Sequence, residues 1–118
     1  MLRQWILRKP RYVNVDVQTC RLPPPENQHI DDRKWQWIIT INFHRLLPSI
    51  GAEAFGDLNK LLLMVEADRF FVGYTFVEIF TDDPGKHNTR ELVVAVCKCF
   101  GFTLGEMREL KSSPLGRS

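Results

Sequence analysis

Residues 34–47 read KWQWIITINFHRLL, and at period two they separate into two faces. Trp35, Trp37, Ile39, Ile41 and Phe43 form one set; Gln36, Ile38, Thr40, Asn42 and His44 form the other. Alternation of this kind specifies a half-buried β-strand, with one side on a core and the other toward water or a ligand. The stretch therefore fixes the building principle of the domain: a sheet that is one-sided in chemistry.

Upstream, YVNVDVQTC at residues 12–20 sets Val13, Val15 and Val17 against Asn14, Asp16 and Gln18, a second one-sided strand. Between the two lies LPPPENQHIDD, where three successive prolines lack amide donors and lock φ, so a loop is expected. Pro23, Pro24 and Pro25 also offer a polyproline surface to a partner, but a plain connector accounts for them as well. Downstream, Phe55, Leu58, Leu61, Leu62 and Val65 recur at helical spacing and predict a core-facing helix beginning near Ala52 or Asp57. FFVGYTFVEIF, residues 70–80, is aromatic and β-branched and reads as a third strand, apolar on both sides. Asp82-Asp83-Pro84-Gly85 is a turn.

Asn88 and Thr89 can cap a helix carrying Leu92, Val93, Val96, Cys99 and Phe100, with Gly101 at its end. Thr103 and Glu106 then have the spacing of a capping box, and Phe102 and Met107 that of a hydrophobic staple, which predicts a final short helix. The expected order is strand, strand, helix, strand, helix, helix. This is an α+β domain with a small, mainly antiparallel sheet of about three strands and helices packed on one face. Residues 12–111 form the domain, residues 1–11 a basic arm and residues 112–118 a loose tail.

Composition is that of an average soluble globular chain: 44% hydrophobic and 25% charged over 118 residues, enough to bury a core without metal or disulfide staples. The net charge of +2 is too small to require nucleic acid, but it is unevenly spread. Residues 1–45 hold eight Lys or Arg against four acids, and residues 46–110 hold six against ten. Such asymmetry can steer an anionic partner to one end or draw two copies together, although scattered solvated charge looks the same. Cys20, Cys97 and Cys99 are odd in number, which fits free thiols in a reducing, cytoplasmic compartment. No apolar run approaches the ~20 residues of a membrane span. The arm MLRQWILRKPR places Leu2, Trp5 and Ile6 among Arg3, Arg8, Lys9 and Arg11, which suits an anionic membrane surface, a presequence or a simple packed terminus.

Few chemistries find a motif. Cys97 and Cys99 would point about 200° apart on a helix, and His29, His44 and His87 form no ligand pair, so no metal or other cofactor is inferred. No glycine-rich phosphate fingerprint, Walker-type loop or nucleophile elbow occurs, and no small-molecule substrate is inferred. GFTLGEMREL, residues 101–110, resembles a short helix–turn stretch of mercury-resistance-type transcription regulators. That resemblance implies major-groove reading, against which stand Glu106 and Glu109 with only Arg108 between them. If the first two strands pair antiparallel, Asn14, Asp16 and Gln18 share a surface with Thr40, Asn42 and His44. Asp16 could then orient the His44 imidazole for acid–base work or ligand binding; a solvated sheet face has the same composition. Arg3, Arg8, Lys9, Arg11, Arg33 and Lys34 are the candidates for nucleic-acid or anionic-surface binding, with Trp35 and Trp37 available to stack on bases.

With no catalytic signature, the expected function is that of a non-catalytic intracellular assembly or adaptor module, of accessory or viral type. It would act through a protein partner and as a homo-oligomer. Trp35, Trp37, Phe71, Tyr74 and Phe76 are the interface candidates, because a small sheet leaves edges and apolar strand faces to be covered. RNA or single-stranded nucleic-acid binding through the arm is the alternative, and the Asp16–His44 face the third reading.

Overall fold

A computed structural model describes residues 11–23, 36–64, 69–86 and 88–110. The elements run β1 (Tyr12–Arg21), β2 (Trp37–Asn42), α1 (Ala52–Met64), β3 (Arg69–Val72), β4 (Phe76–Thr81), a 3-10 turn (Pro84–Lys86), α2 (Thr89–Cys99) and β5 (Thr103–Glu109). The five strands make one mixed sheet in the order β3-β4-β2-β1-β5. Neighbours pair antiparallel except β1 with β5, which are parallel. No described helix is long and apolar enough to cross a membrane.

The α+β class holds, but the sheet is larger than the three strands expected, and two local readings are corrected. The run at residues 70–80 is a hairpin and not one strand. Its turn at residues 73–75 resets the parity of side chains, which explains why the single-strand reading looked apolar on both faces. Phe70 lies opposite Ile79 and Val72 opposite Val77 on the core side, while Phe71 lies opposite Glu78 on the other. Gly73 makes the turn because a Cβ there would come within 2.4 Å of the Phe76 ring.

The second correction concerns residues 103–109, expected to be a capped helix and found extended as β5. The capping-box spacing is local, whereas β1 offers a whole backbone edge: Thr103 N donates to Arg11 O at 2.8 Å, and Leu110 N to Val17 O at 2.8 Å. A ladder of tertiary hydrogen bonds outweighs a cap worth about 1 kcal/mol. Phe102 does not staple a helix; it is 4% exposed in the core. Gly101, at φ +78°, ends α2 and turns the chain into β5. The final short helix, and with it the helix–turn resemblance of residues 101–110 to transcription regulators, fall with this element.

α2 forms as its sequence dictates: the Asn88 side chain accepts from Glu91 N at 3.1 Å, and Leu92, Val93, Val96 and Cys97 bury one face. Leu58 and Leu62 of α1 join them. Together they cover the inward faces of the strands, Val13, Val15 and Val17, Ile39 and Ile41, Val77 and Ile79. Both helices thus sit on one side of the sheet. All three cysteines are free, and burial pushes the Cys97 thiol up to about 11.

The caps supply a direct check on the reassigned terminus. Asn88→Ala is expected to lower stability by about 1 kcal/mol, since it orphans a helix donor. Thr103→Ala, on an exposed strand position, is expected to shift it by no more than about 0.5 kcal/mol. Urea denaturation of the two variants distinguishes strand from capped helix at residues 103–109.

Candidate functional site

Two surface features stand out, at opposite ends of the chemistry available. The first is an apolar cleft of about 710 Å³ formed where the β3–β4 turn meets the segment leading into α1. Leu47, Ile50, Phe55, Phe71, Tyr74 and Phe76 contribute to its walls. Leu47 N donates to Tyr74 O at 2.8 Å and Phe43 N to Thr75 O at 2.8 Å, so the loop and the turn are tied together by backbone bonds. Phe55 packs on Phe70 with centroids 5.4 Å apart, and Phe71 on Phe76 at 6.1 Å. The rim is left in water: Tyr74 is 85% exposed, Phe71 53% and Phe55 49%. Leu46, next in the chain to a cleft residue, is also exposed. Single exposed hydrophobics are ordinary, but a cluster around one concavity marks a contact surface.

The second feature lies on the polar side of the sheet. β1 and β2 pair antiparallel with Asp16 opposite Asn42 and Gln18 opposite Thr40, so the polar sets of both strands share a surface. His44 Nε2 lies 2.8 Å from Asp16 Oδ2. Arg108 of β5 donates from Nε and Nη2 to the two oxygens of the same carboxylate, each at 2.9 Å. That fork geometry is the strong form of an arginine–carboxylate pair. A register shift between Val13 and Val15 brings Arg108 opposite Asp16, and Asn14 Oδ1 supports it by accepting from Glu106 N at 2.9 Å. His44 has φ +55°, an uncommon conformation for a side-chain-bearing residue that costs on the order of 1 kcal/mol. Asn42 Oδ1 holds it there by accepting from His44 N at 2.9 Å.

The Arg108 guanidinium, followed by the His44 contact, holds the Asp16 carboxyl below the ordinary aspartate range, partial burial opposing them. A depressed folded pKa means stability that is present above the unfolded value, near ~3.9, and is lost as pH falls through the lower folded value. Wild type and Asp16→Asn are therefore expected to differ in urea midpoint at pH 7 and to converge as pH falls well below about 4. A gap independent of pH would show that the carboxylate charge contributes nothing.

Of the sequence-derived candidates, Phe71, Tyr74 and Phe76 meet at the cleft. Trp37 does not: it is half-buried at the far end of β2, opposite Thr81, with the Arg21 guanidinium 5.6 Å from its ring. Arg11 is exposed at the start of β1. Arg3, Arg8, Lys9, Arg33, Lys34 and Trp35 lie outside the described residues. Sequence reasoning missed Leu47, Ile50 and Phe55 as cleft walls and Arg108 as partner of Asp16. The signal for Leu47 was present in Leu46-Leu47-Pro48, an apolar pair placed after a strand and before a proline; none existed for Arg108 while its segment read as helix. Among the described residues no group of three metal-ligating side chains converges. No family model matches the chain, and no curated protein or solved structure shows significant similarity to it.

Proposed function

We propose that this chain is a non-catalytic assembly module that associates through the cleft and the β3 edge, with a second copy of itself as the occupant. The observation that carries the reading is the coexistence of knob and hole on one patch: Tyr74 projects into water beside an apolar cavity that it helps to wall. A two-fold contact requires such self-complementarity, because each copy must offer what the other receives. β3 adds a second element. It is an edge strand of four residues, and among the described residues no strand pairs with its outer side, so it can extend the sheet across a dyad. Phe71 and Phe55 would then exchange water for the partner's apolar wall, at about 25 cal/mol for each Å² of apolar surface covered.

The test is mass in solution. Light scattering between low and high micromolar concentration is expected to show a concentration-dependent dimer or larger closed species. A single monomeric mass at high micromolar concentration would overturn the proposal.

A further inference from the structure

The backbone of the β3 edge carries a register of its own. Phe43 N donates to Thr75 O and Gly73 N to Phe76 O, each at 2.8 Å. Antiparallel ladders alternate between hydrogen-bonded and non-bonded pairs, so Val77 and Ile79 of β4 turn their backbone groups to β2, and Phe76 and Glu78 turn theirs to β3. Gly73 and Phe71 receive them. Phe70 and Val72, opposite Ile79 and Val77, therefore direct their N–H and C=O away from β4, out of the sheet. A second antiparallel strand has to set its own outward residues against these two, and any offset by one residue fails.

Side chains select among the registers that remain. Phe71 is 53% exposed on the open face of the sheet, and its ring lies 6.1 Å from that of Phe76. Gly73 shares this face, and the Phe76 ring fills the place where its side chain would stand. A partner's Phe71 set opposite Gly73 thus meets a flat aromatic floor, and Phe71 and Phe76 of both copies form one cluster. Phe71 opposite the partner's Gly73 puts the two-fold axis at Val72, which exchanges both of its outward bonds with the partner's Val72. The same register brings the partner's Tyr74 alongside Phe70, whose ring packs on Phe55 of the cleft at 5.4 Å. An axis at Phe71 or at Phe70 would instead carry the partner's Tyr74 past the start of β3, away from the cleft.

We infer that two copies join β3 to β3 antiparallel about an axis at Val72, with Phe71 of each lying over the partner's Gly73. The inference rests on the assembly reading above and deepens it, from a patch to a register. It makes one continuous sheet through both copies, and it places Tyr74, 85% exposed in the single chain, at the partner's cleft.

The experiment is oxidation of Val72→Cys and Phe71→Cys chains with copper phenanthroline, followed by mass mapping of the disulfide, with the wild type and its own free cysteines as the blank. Paired residues at the axis have Cα atoms about 5.5 Å apart, within disulfide reach, whereas Phe71 and the partner's Phe71 stand on a diagonal of roughly 7–8 Å. Val72→Cys is expected to form the self-disulfide at least about tenfold more than Phe71→Cys. Tyr74→Ala should raise the dimer Kd about tenfold and leave the monomer's urea midpoint unchanged. Should Val72→Cys fold poorly, isotope-filtered NOE spectra of a dimer mixed from labelled and unlabelled wild-type chains decide: Phe71 Hα is expected to meet the partner's Gly73 Hα. In a chain that dimerises, a self-disulfide at 71 in place of 72, an NOE from Phe71 to the partner's Phe71, absence of both expected contacts, or a wild-type Kd in Tyr74→Ala would overturn this axis and leave the assembly reading standing. A wild type that stays monomeric at high micromolar concentration would remove both.

Discussion

Phe43→Ala is expected to destabilise the fold by about 3–5 kcal/mol, the cost of emptying an aromatic site in a close-packed core. The ring is 2% exposed and tilts against Phe100 and Phe102 with both centroids 6.0 Å away. It therefore joins the end of β2 to the α2–β5 connection, two regions with no other aromatic contact of this kind among the described residues. Because a domain of this size is stable by only about 5–15 kcal/mol, the variant should fall close to the folding threshold. It should also loosen Arg11 and Arg45, whose guanidiniums rest on Phe102. Urea denaturation measures the loss. A change under about 1 kcal/mol would mean that the neighbours collapse into the space and that Phe43 is not the keystone of this corner.

Phe71→Asp should have the largest effect on association. Phe71 is half in water in the single chain, so an aspartate there costs folding only the ring contact with Phe76 and the like charge of Glu78 opposite, about 1 kcal/mol. In a dimer closed over the cleft, the same carboxylate would be buried twice, once from each copy, against cleft walls that carry no cation. Burying an unpaired charge is far more expensive than losing a phenyl contact, and the group can avoid it only by staying exposed. The expected result is a monomer at every concentration where the wild type is dimeric, with an unfolding midpoint close to that of the wild-type monomer. A variant that still dimerises would remove the cleft from the contact.

The sequence carried more of the fold than of the site, for physical reasons that can be named. Val13, Val15 and Val17 against Asn14, Asp16 and Gln18, with the matching alternation in β2, made both strands and their shared polar surface legible, and with them the Asp16–His44 contact. The cap at Asn88 was legible because it is satisfied within its own turn. β5 was not, since its partner is β1, some ninety residues upstream, and the Thr103–Glu106 spacing imitates a cap in an otherwise weak helical segment. Arg108 was lost with it. The β3–β4 turn escaped notice because Gly73-Tyr74-Thr75 lacks the usual hairpin dipeptides, and its glycine is needed to clear the Phe76 ring. Phe55 kept its helical spacing with Leu58 and Leu62 but sits in the first turn of α1, beyond the edge of the core. Periodicity places a side chain on a face; it does not say how far the neighbouring layer reaches.

Concentration-dependent hydrogen–deuterium exchange tests the central claim most directly, because it reports the dimer and the place of contact together. On raising the chain from low to high micromolar concentration, the account predicts added amide protection in residues 69–76 and in the segment 46–55, with the backbone of β1 and β5 unchanged. Protection that is independent of concentration in those two stretches, or that rises only along β5, would contradict it.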